Sequence, residues 1–294
     1  RGEFGYYATN HIYRFFVFFL IFIFFSFVNI NFWHKSAYVI YAIFLILLLS
    51  VEFFGVENVR ANRWIDLYFF NLQPSELIKI GLIIFLARYY NRLPSRHVSK
   101  IKYSLLPFVA LFFPVSLVLA QPDLGTAILI ATGGILVIWF AGYKLKYFIY
   151  MFFTFLFLAP IIIAFLKPYQ KLRILTFFNP ERDPLGAGYQ IIQSKIAVGS
   201  GGLSGKGFLK GTQSYLEFLP EKHTDFIFTL FSEEFGFSGS LVLLIVYSIM
   251  IYRIIVIGSI CRSFFGKLYC YGFGSAIFIY IVVNMSMVLG LLPI

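Results

Sequence analysis

Long apolar runs separated by short polar linkers make up most of this chain. A membrane-spanning helix needs about 20 apolar residues, and continuous runs favour helices over the alternating pattern of barrel strands. The pattern therefore predicts an all-α polytopic membrane protein with a single transmembrane domain over residues 1–294. The predicted spans are Tyr13–Ile30, Ala37–Phe54, Glu76–Tyr89, Tyr103–Ala120, Leu124–Ala141, Tyr147–Leu166, Glu233–Ser259 and Tyr269–Leu289.

The composition agrees with that class. Of the 294 residues, 60% are hydrophobic and only 13% are charged, which excludes an ordinary soluble domain. The two cysteines, Cys261 and Cys270, have neither the spacing of a metal site nor the pairing of a disulfide framework.

The formal net charge of +11 suggests a nucleic-acid partner, but the distribution of the charge argues against one. Lys and Arg concentrate in linkers 31–36, 88–102, 142–146 and 253–268, which contain no Asp or Glu and share one side of the membrane if the spans alternate. Short basic linkers mark the cytoplasmic side. All 13 acidic residues fall on or near the other side. We therefore expect extracytoplasmic polar loops and no nucleic-acid binding.

The longest polar segment is the predicted extracytoplasmic loop 167–232. A long polar loop in a compact domain is usually functional or disordered, and its glycine turns and short apolar runs favour function. Its basic start, 167–173, suits either lipid headgroups or a diphosphate. Within 188–198 the spacing predicts a short amphipathic helix, with Ile192 and Ile196 on its apolar face and Lys195 near its C-terminal end.

The glycine-rich run Gly199–Gly207 resembles a nucleotide loop but does not fit one. A P-loop needs Gly where Ser200 stands, and Ser or Thr where Gly207 stands. We predict instead that these glycines allow tight turns and close approach of the backbone to a neighbour.

Ionisable residues gather at 221–225, just before the chain re-enters the membrane. Asp225 is the best candidate for chemistry, because a carboxylate at a partly desolvated interface suits a general base. The alternative is that Asp225 caps a helix. For His223, ordinary hydrogen bonding is favoured over metal ligation because no second His is nearby.

Three other positions on the same side allow both structural and functional interpretations. Glu76 and Lys79 share a helix face and are expected to pair, either as a local ion pair or as part of a site that faces a cavity. Asp123 is either a helix N-cap or a carboxylate of the outer cavity. Trp64 suits the aromatic belt of a membrane interface.

Several ordered motifs across the whole chain resemble the SEDS family, and the run at 205–214 resembles its elongation (rod-shape) type rather than its division type. These motifs are RANRWIDL around Trp64, QPSELIK at 73–79, QPDLGT at 121–126, NPERDPLGAG at 179–188, QSKIAVGSGG at 193–202, GKGFLKGTQS at 205–214 and LPEKHTDFIF at 219–228. The family fold has ten spans, so the predicted spans correspond to its second through ninth, and we expect this chain to be a fragment that lacks the first and last helices.

The resemblance implies a peptidoglycan glycosyltransferase of the bacterial inner membrane that polymerises lipid II, among membrane lipids, into a growing glycan strand. The family's essential aspartate matches Asp225, and its external tryptophan matches Trp64. It also implies a class B penicillin-binding protein as partner. Lys222 stands where the family commonly has Arg.

In this interpretation Asp225 takes the proton of the acceptor hydroxyl, and cations bind the undecaprenyl diphosphate leaving group. The candidates for the diphosphate are Lys195, Lys206, Lys222 and Arg63. The full set of predicted substrate-binding residues is Trp64, Arg63, Glu76, Lys79, Gln121, Asp123, Lys195, Lys206, Glu221, Lys222, His223 and Thr224.

No cofactor is certain. Asp225, Asp123 and Glu221 are candidate ligands for Mg²⁺ or Mn²⁺, but their spacing does not decide this. Two other functions stay open: a lipid II flippase, which would place charged residues deeper in several helices, and a scaffold without chemistry.

Overall fold

The computed structural model describes residues 2–54, 63–66, 71–165, 171–172, 175–176, 179, 187–212 and 226–292. A helix forms at every predicted span, and two short strands, β1 (Ile65–Asp66) and β2 (Asn71–Leu72), pair antiparallel. The helices are α1 (Gly2–Ser26), α2 (Ile30–Phe54), α3 (Pro74–Asn91), α4 (Ile101–Ala120), α5 (Leu124–Phe140), α6 (Leu145–Phe165), α7 (Ala187–Ser200), α8 (Ile227–Ile260) and α9 (Phe264–Val288). The predicted all-α membrane fold is confirmed.

Four helices of the described part are long and apolar enough to cross a bilayer: α2, α4, α8 and α9. Shorter apolar helical stretches lie at 11–26, 124–140 and 145–160. The helices therefore form a multi-pass bundle, and α7 lies in the loop between α6 and α8 as a separate short helix.

Helix α3 lies at the centre of the bundle although it is the least apolar of the predicted spans. Its side chains Ile78, Leu82, Leu86 and Tyr90 are almost completely buried, and it packs against α2, α5 and α9. Neighbouring helices cover most of α3, and its start carries the charged residues Glu76 and Lys79.

The predicted start of α8 and the predicted face of α7 differ from the structure. Helix α8 begins at Ile227, six residues before the predicted Glu233, because Phe226 is buried and starts the helix within the protein. The apolar face of α7 is not the predicted one: Ile191 and Ala197 are buried, whereas Ile196 is 47% exposed. A polar residue, Ser194, completes the buried face, and counting apolar residues alone does not reveal it.

The glycine-rich stretch 201–207 packs backbone to backbone against a break in α8. At Gly236 the backbone leaves the helical conformation, with φ 65° and ψ −163°. The amides of Lys206 and Gly207 donate to the carbonyls of Glu233 and Glu234, each at 3.0 Å. A Cβ at Gly205, where φ is +78°, would lie 2.1 Å from the Glu234 carbonyl oxygen. The predicted close approach of the backbone is confirmed.

We predict that Gly205→Ala destabilises the protein by about 2 kcal/mol or more, because it adds a clash to a left-handed backbone conformation. Gly199→Ala is the matched control, since a Cβ there meets nothing within 4 Å and Ala favours the helix. Thermal unfolding in detergent should show a lower Tm for the first variant only. Equal Tm values for the two variants would contradict the packing described.

Candidate functional site

The predicted site residues that the structure describes all lie on one side of the bundle. This side, called the loop face below, carries the start of α3, the turn between α4 and α5, helix α7, the stretch 201–212, the start of α8 and the end of α9. The opposite side, the basic face, carries the linkers rich in Lys and Arg. Successive spans run in opposite directions, so the linkers between them alternate between the two faces.

Arg63 joins β1 to the turn between α4 and α5. Its Nε and Nη2 donate to the carbonyl oxygens of Gln121 (3.2 Å) and Pro122 (2.6 Å), and its Nη1 lies 3.6 Å from Asp123 Oδ2. The side-chain amide of Gln121 donates to the Leu48 carbonyl at the end of α2. Through these contacts Arg63 and Gln121 link β1, the turn between α4 and α5, and α2 at the loop face.

Asp123 is the N-cap of α5. Its Oδ1 accepts from the Thr126 amide at 3.1 Å, and its Oδ2 accepts from the Thr126 hydroxyl at 2.9 Å. Such a cap satisfies an amide that the first turn of a helix leaves unpaired. Of the two interpretations offered for Asp123, the structure supports capping. Trp64, beside Arg63, is partly exposed, as a residue of the membrane interface is expected to be.

Glu76 and Lys79 form the predicted ion pair on the first turns of α3. Lys79 Nζ lies 2.8 Å from Glu76 Oε1 and 5.1 Å from the centre of the Tyr280 ring. The lysine is largely buried, whereas half of the Glu76 side chain is exposed. A buried ammonium needs both of these partners, because an unpaired charge among helices is costly.

This ion pair stands at a cleft of about 290 Å³ between α3, α5, α8 and α9. The walls are mostly apolar and include Ile83, Leu129, Phe273 and Ile277. A cleft with a charged end and apolar walls suits an amphiphile whose headgroup is polar and whose tail is hydrocarbon.

Helix α7 is joined to α8 and α9 by a buried hydroxyl cluster. Ser194 Oγ lies 2.8 Å from Thr229 Oγ1 and donates to the Val288 carbonyl at 2.8 Å. The neighbouring residue, Lys195, is exposed and lies across Gly290, where α9 has ended. Among the described residues Lys195 has no hydrogen bond or ion pair, so its charge is available.

Lys206 bonds to a fully buried carboxylate on α8. Its Nζ donates to Glu233 Oε1 at 2.7 Å, and the same oxygen accepts from the amide (2.9 Å) and the hydroxyl (3.0 Å) of Thr212. Glu233 has no exposed surface. Sequence analysis placed Glu233 at the start of a span and gave it no role. The signal available was an acidic residue at the start of a long, mostly apolar run, together with Lys206 in the glycine-rich stretch.

The remaining predicted residues, Glu221, Lys222, His223, Thr224 and Asp225, lie outside the described residues. The adjoining residue is described: Phe226 is buried and occupies the N-cap position of α8, without a side-chain hydrogen bond. Asp225 therefore directly precedes a buried residue at a helix start. It lies four residues before Thr229, which contacts α7.

The described residues contain no group of three His, Cys, Asp or Glu side chains that would bind a metal. Asp123, one of the predicted ligands, already uses both oxygens for Thr126. Of the proposed metal ligands, Glu221 and Asp225 lie beyond the described part of the chain.

Comparison with known proteins agrees with this architecture. The family model described as FtsW/RodA/SpoVE, cell cycle protein, matches residues 2–294. The peptidoglycan glycosyltransferase MrdB of Escherichia coli (strain K12) is 44% identical over 87% of this chain and 69% of its own length. A probable peptidoglycan glycosyltransferase FtsW of Idiomarina loihiensis is 35% identical over 90% of this chain and 65% of its own length.

Among solved structures, one chain of a peptidoglycan synthase complex studied for the coordination of polymerization and crosslinking has a TM-score of 0.79 and 31% identity. The match covers 94% of this chain and 77% of that chain. The shared fold, the matched motifs and the higher identity to MrdB than to this FtsW agree with the elongation type. The chain belongs to the FtsW/RodA/SpoVE family, the SEDS family of multi-pass membrane proteins, and within it is of the RodA type.

Proposed function

We propose that this protein is a peptidoglycan glycosyltransferase that polymerises lipid II into glycan strands during cell elongation. The observation that carries the proposal is the 44% identity, over most of both chains, to a protein named for that activity. The loop face supports it, because polar side chains, a glycine-rich stretch and the mouth of an apolar cleft lie on one side of the bundle.

In the proposed reaction, a sugar hydroxyl of the acceptor attacks the anomeric carbon of the donor. Asp225 accepts the hydroxyl proton as the new glycosidic bond forms, and the bond from the anomeric carbon to the diphosphate oxygen breaks. Undecaprenyl diphosphate leaves with the electron pair. The chemistry needs a carboxylate beside the acceptor and positive charge beside the leaving group.

The assignment of Asp225 as the general base is supported by the residues that follow it in the chain. Phe226 is buried at the start of α8, and Thr229 contacts Ser194 on α7 at 2.8 Å. Asp225 directly precedes this helix start in the chain, and Lys195 adjoins Ser194. A general base needs a defined position beside the acceptor, and a buried helix start next to it in the chain favours one.

The contacts of the lysines and arginine reorder the candidates for the diphosphate. Arg63 faces Asp123, Lys79 pairs with Glu76, and Lys206 pairs with Glu233. Lys195 is the described candidate without a carboxylate partner, so we assign it to the diphosphate together with Lys222 of the undescribed stretch. A cation that a ligand must share with a protein carboxylate contributes less to binding that ligand.

The cleft beside Glu76 and Lys79 is the proposed site for part of the undecaprenyl tail. Its walls are mostly apolar, and it lies between four helices of the bundle. Seated there, the lipid would leave its diphosphate toward the loop face. The ion pair at the mouth then separates the hydrocarbon part of the substrate from the polar part.

The expected surroundings are the bacterial inner membrane, with the loop face extracytoplasmic. The support is the division of charge: carboxylates lie at the loop face, and linkers of Lys and Arg lie at the basic face. A class B penicillin-binding protein is the proposed partner, because a similar chain belongs to a complex that couples polymerization with crosslinking. Co-purification from membranes is the direct check of that partner.

Asp225→Asn should abolish glycan polymerisation from lipid II, because the amide cannot accept the proton. A loss of at least about 100-fold is expected for a general base. The control is Glu52→Gln, an exposed acid at the loop end of α2. If Asp225→Asn polymerises like the control, the proposed function fails, and lipid II transport into vesicles by that variant would favour the flippase.

Lys195→Met should lower kcat/KM for lipid II by about 100-fold, as expected when a donor to a developing anion is lost. Inorganic diphosphate should also inhibit the variant less well than the parent. Lys210→Met, an exposed lysine of the 201–212 stretch, is the control.

The same assay tests Mg²⁺ or Mn²⁺ as a companion of the diphosphate. Chelation with EDTA should stop polymerisation, and either ion should restore it. Full activity in EDTA would contradict a role for either metal ion, and the lysines alone would then neutralise the diphosphate.

The Lys195 prediction has its own contrary outcome. If the kinetics of Lys195→Met match those of the control Lys210→Met, Lys195 does not bind the diphosphate.

The orientation is tested by labelling intact cells with a membrane-impermeant maleimide. Leu203→Cys, at an exposed position of the loop face, should react. The native Cys261 and Cys270 are a built-in control, because Cys261 ends α8 at the basic face and Cys270 lies within α9. Labelling of these cysteines without labelling at position 203 would reverse the proposed orientation.

A further inference from the structure

We infer that Glu233 is a positioning residue: through Lys206 and Thr212 it fixes one end of the stretch that carries Asp225. The described contacts stand by themselves, and only the link to catalysis rests on the proposed function. The inference also changes the role of Lys206, from a ligand of the diphosphate to the counterion of Glu233.

The first support is the chemistry of the buried carboxylate. Glu233 has no exposed surface, and its Oε1 accepts from Lys206 Nζ and from both the amide and the hydroxyl of Thr212. A carboxylate so buried is stable only when charge and hydrogen bonds compensate it. The three donors thus hold the 206–212 stretch against α8.

The second support is the backbone contact beside this cluster. The amides of Lys206 and Gly207 donate to α8, and in the other direction the amides of Phe237 and Ser238 donate to the carbonyls of Gly202 and Leu203 at 2.9 and 3.0 Å. Bonds run both ways across the break at Gly236. The stretch is therefore fixed in register against α8, and the ion pair closes its far end.

The third support is the place of this cluster in the chain. Residues 213–225 leave from Thr212, which is bonded to Glu233, and end at Phe226, which is buried at the start of α8. Glu233 lies seven residues after Phe226, about 10 Å along a helix that rises 1.5 Å per residue. Both ends of the stretch that includes Asp225 are thus held by the first two turns of one helix.

The placement of Lys206 explains why it is a poor ligand for substrate. Its ammonium also donates to the Thr212 hydroxyl at 2.8 Å, so two protein oxygens already accept from it. Moving it toward a diphosphate would break the ion pair of a fully buried carboxylate, which is strongly disfavoured. Lys206 contributes to the reaction through the position of Thr212.

Two groups of variants in the complete protein test this inference. Lys206→Met removes the ammonium from the buried Glu233, Glu233→Gln removes the carboxylate charge from the half-buried Lys206, and the double variant removes both charges. Thr212→Val is a milder change that keeps the amide donor and loses the hydroxyl. Glu234→Gln and Lys210→Met are controls next to the cluster, because neither residue's side chain takes part in the contacts between Glu233, Lys206 and Thr212.

Each single charge variant should lower kcat by about 100-fold, the scale expected when a reacting group is displaced by about 1 Å. KM for lipid II should stay within about threefold. The double variant should recover at least about tenfold over either single variant, because coupled partners are not additive. Thr212→Val should show a smaller loss, and the controls should match the parent.

Hydrogen exchange provides a readout that does not depend on catalysis. The amides of Lys206, Gly207 and Thr212 should exchange faster in Glu233→Gln, while those of α4 and α5 stay unchanged, which also shows that the variant is folded. Unchanged exchange, or kcat within threefold of the parent, would overturn the inference. A raised KM in Lys206→Met without recovery in the double variant would return Lys206 to the substrate.

These outcomes are separable from failure of the proposed function. If Asp225→Asn polymerises normally, the assignment of the base fails, whereas the exchange experiment still decides whether Glu233 holds the 206–212 stretch.

Discussion

The loop face depends on one interaction, the hydrogen-bonded ion pair between Lys206 and the buried carboxylate of Glu233. A carboxylate with no exposed surface in a membrane protein is retained only where a cation and further donors meet it. Here they come from the 206–212 stretch of the polar loop, so the contacts that stabilise the buried acid also hold that stretch against α8. Because Phe226 starts the same helix, one element supports both ends of the chain segment that precedes it.

The same rule governs the rest of the loop face. Arg63 faces Asp123, and Lys79 pairs with Glu76 beside an aromatic ring. Each pair also has a structural role. The first joins the segment before β1 to the start of α5, and the second allows α3, which carries two charged residues, to occupy the centre of the bundle. The charges therefore shape the loop face, and only some of them remain available for a ligand.

Much of the fold could be predicted from the chain alone. Continuous apolar runs predicted the spans, and the structure has a helix at every one of them. The spacing of Glu76 and Lys79 predicted their contact, because residues three apart on a helix share a face. The boundary of α8 and the buried face of α7 were predicted wrongly. Both depend on neighbours distant in sequence: Phe226 is buried by tertiary packing, and Ser194 is buried because Thr229 and Val288 satisfy its hydroxyl.

By itself, the sequence determined the class of protein, the sidedness of its charge, the short helix at 187–200 and the family motifs around Asp225. These follow from hydrophobicity and local spacing. A long enough apolar run predicts a membrane span, and apolar residues at the helical period predict an amphipathic helix. Only the tertiary structure decided which cations are already paired. Lys195 and Lys206 are equivalent as sequence, but one is exposed without a described partner and the other is bonded to Glu233, 27 residues away. Pairing between distant residues depends on how the helices pack, and no local pattern encodes it.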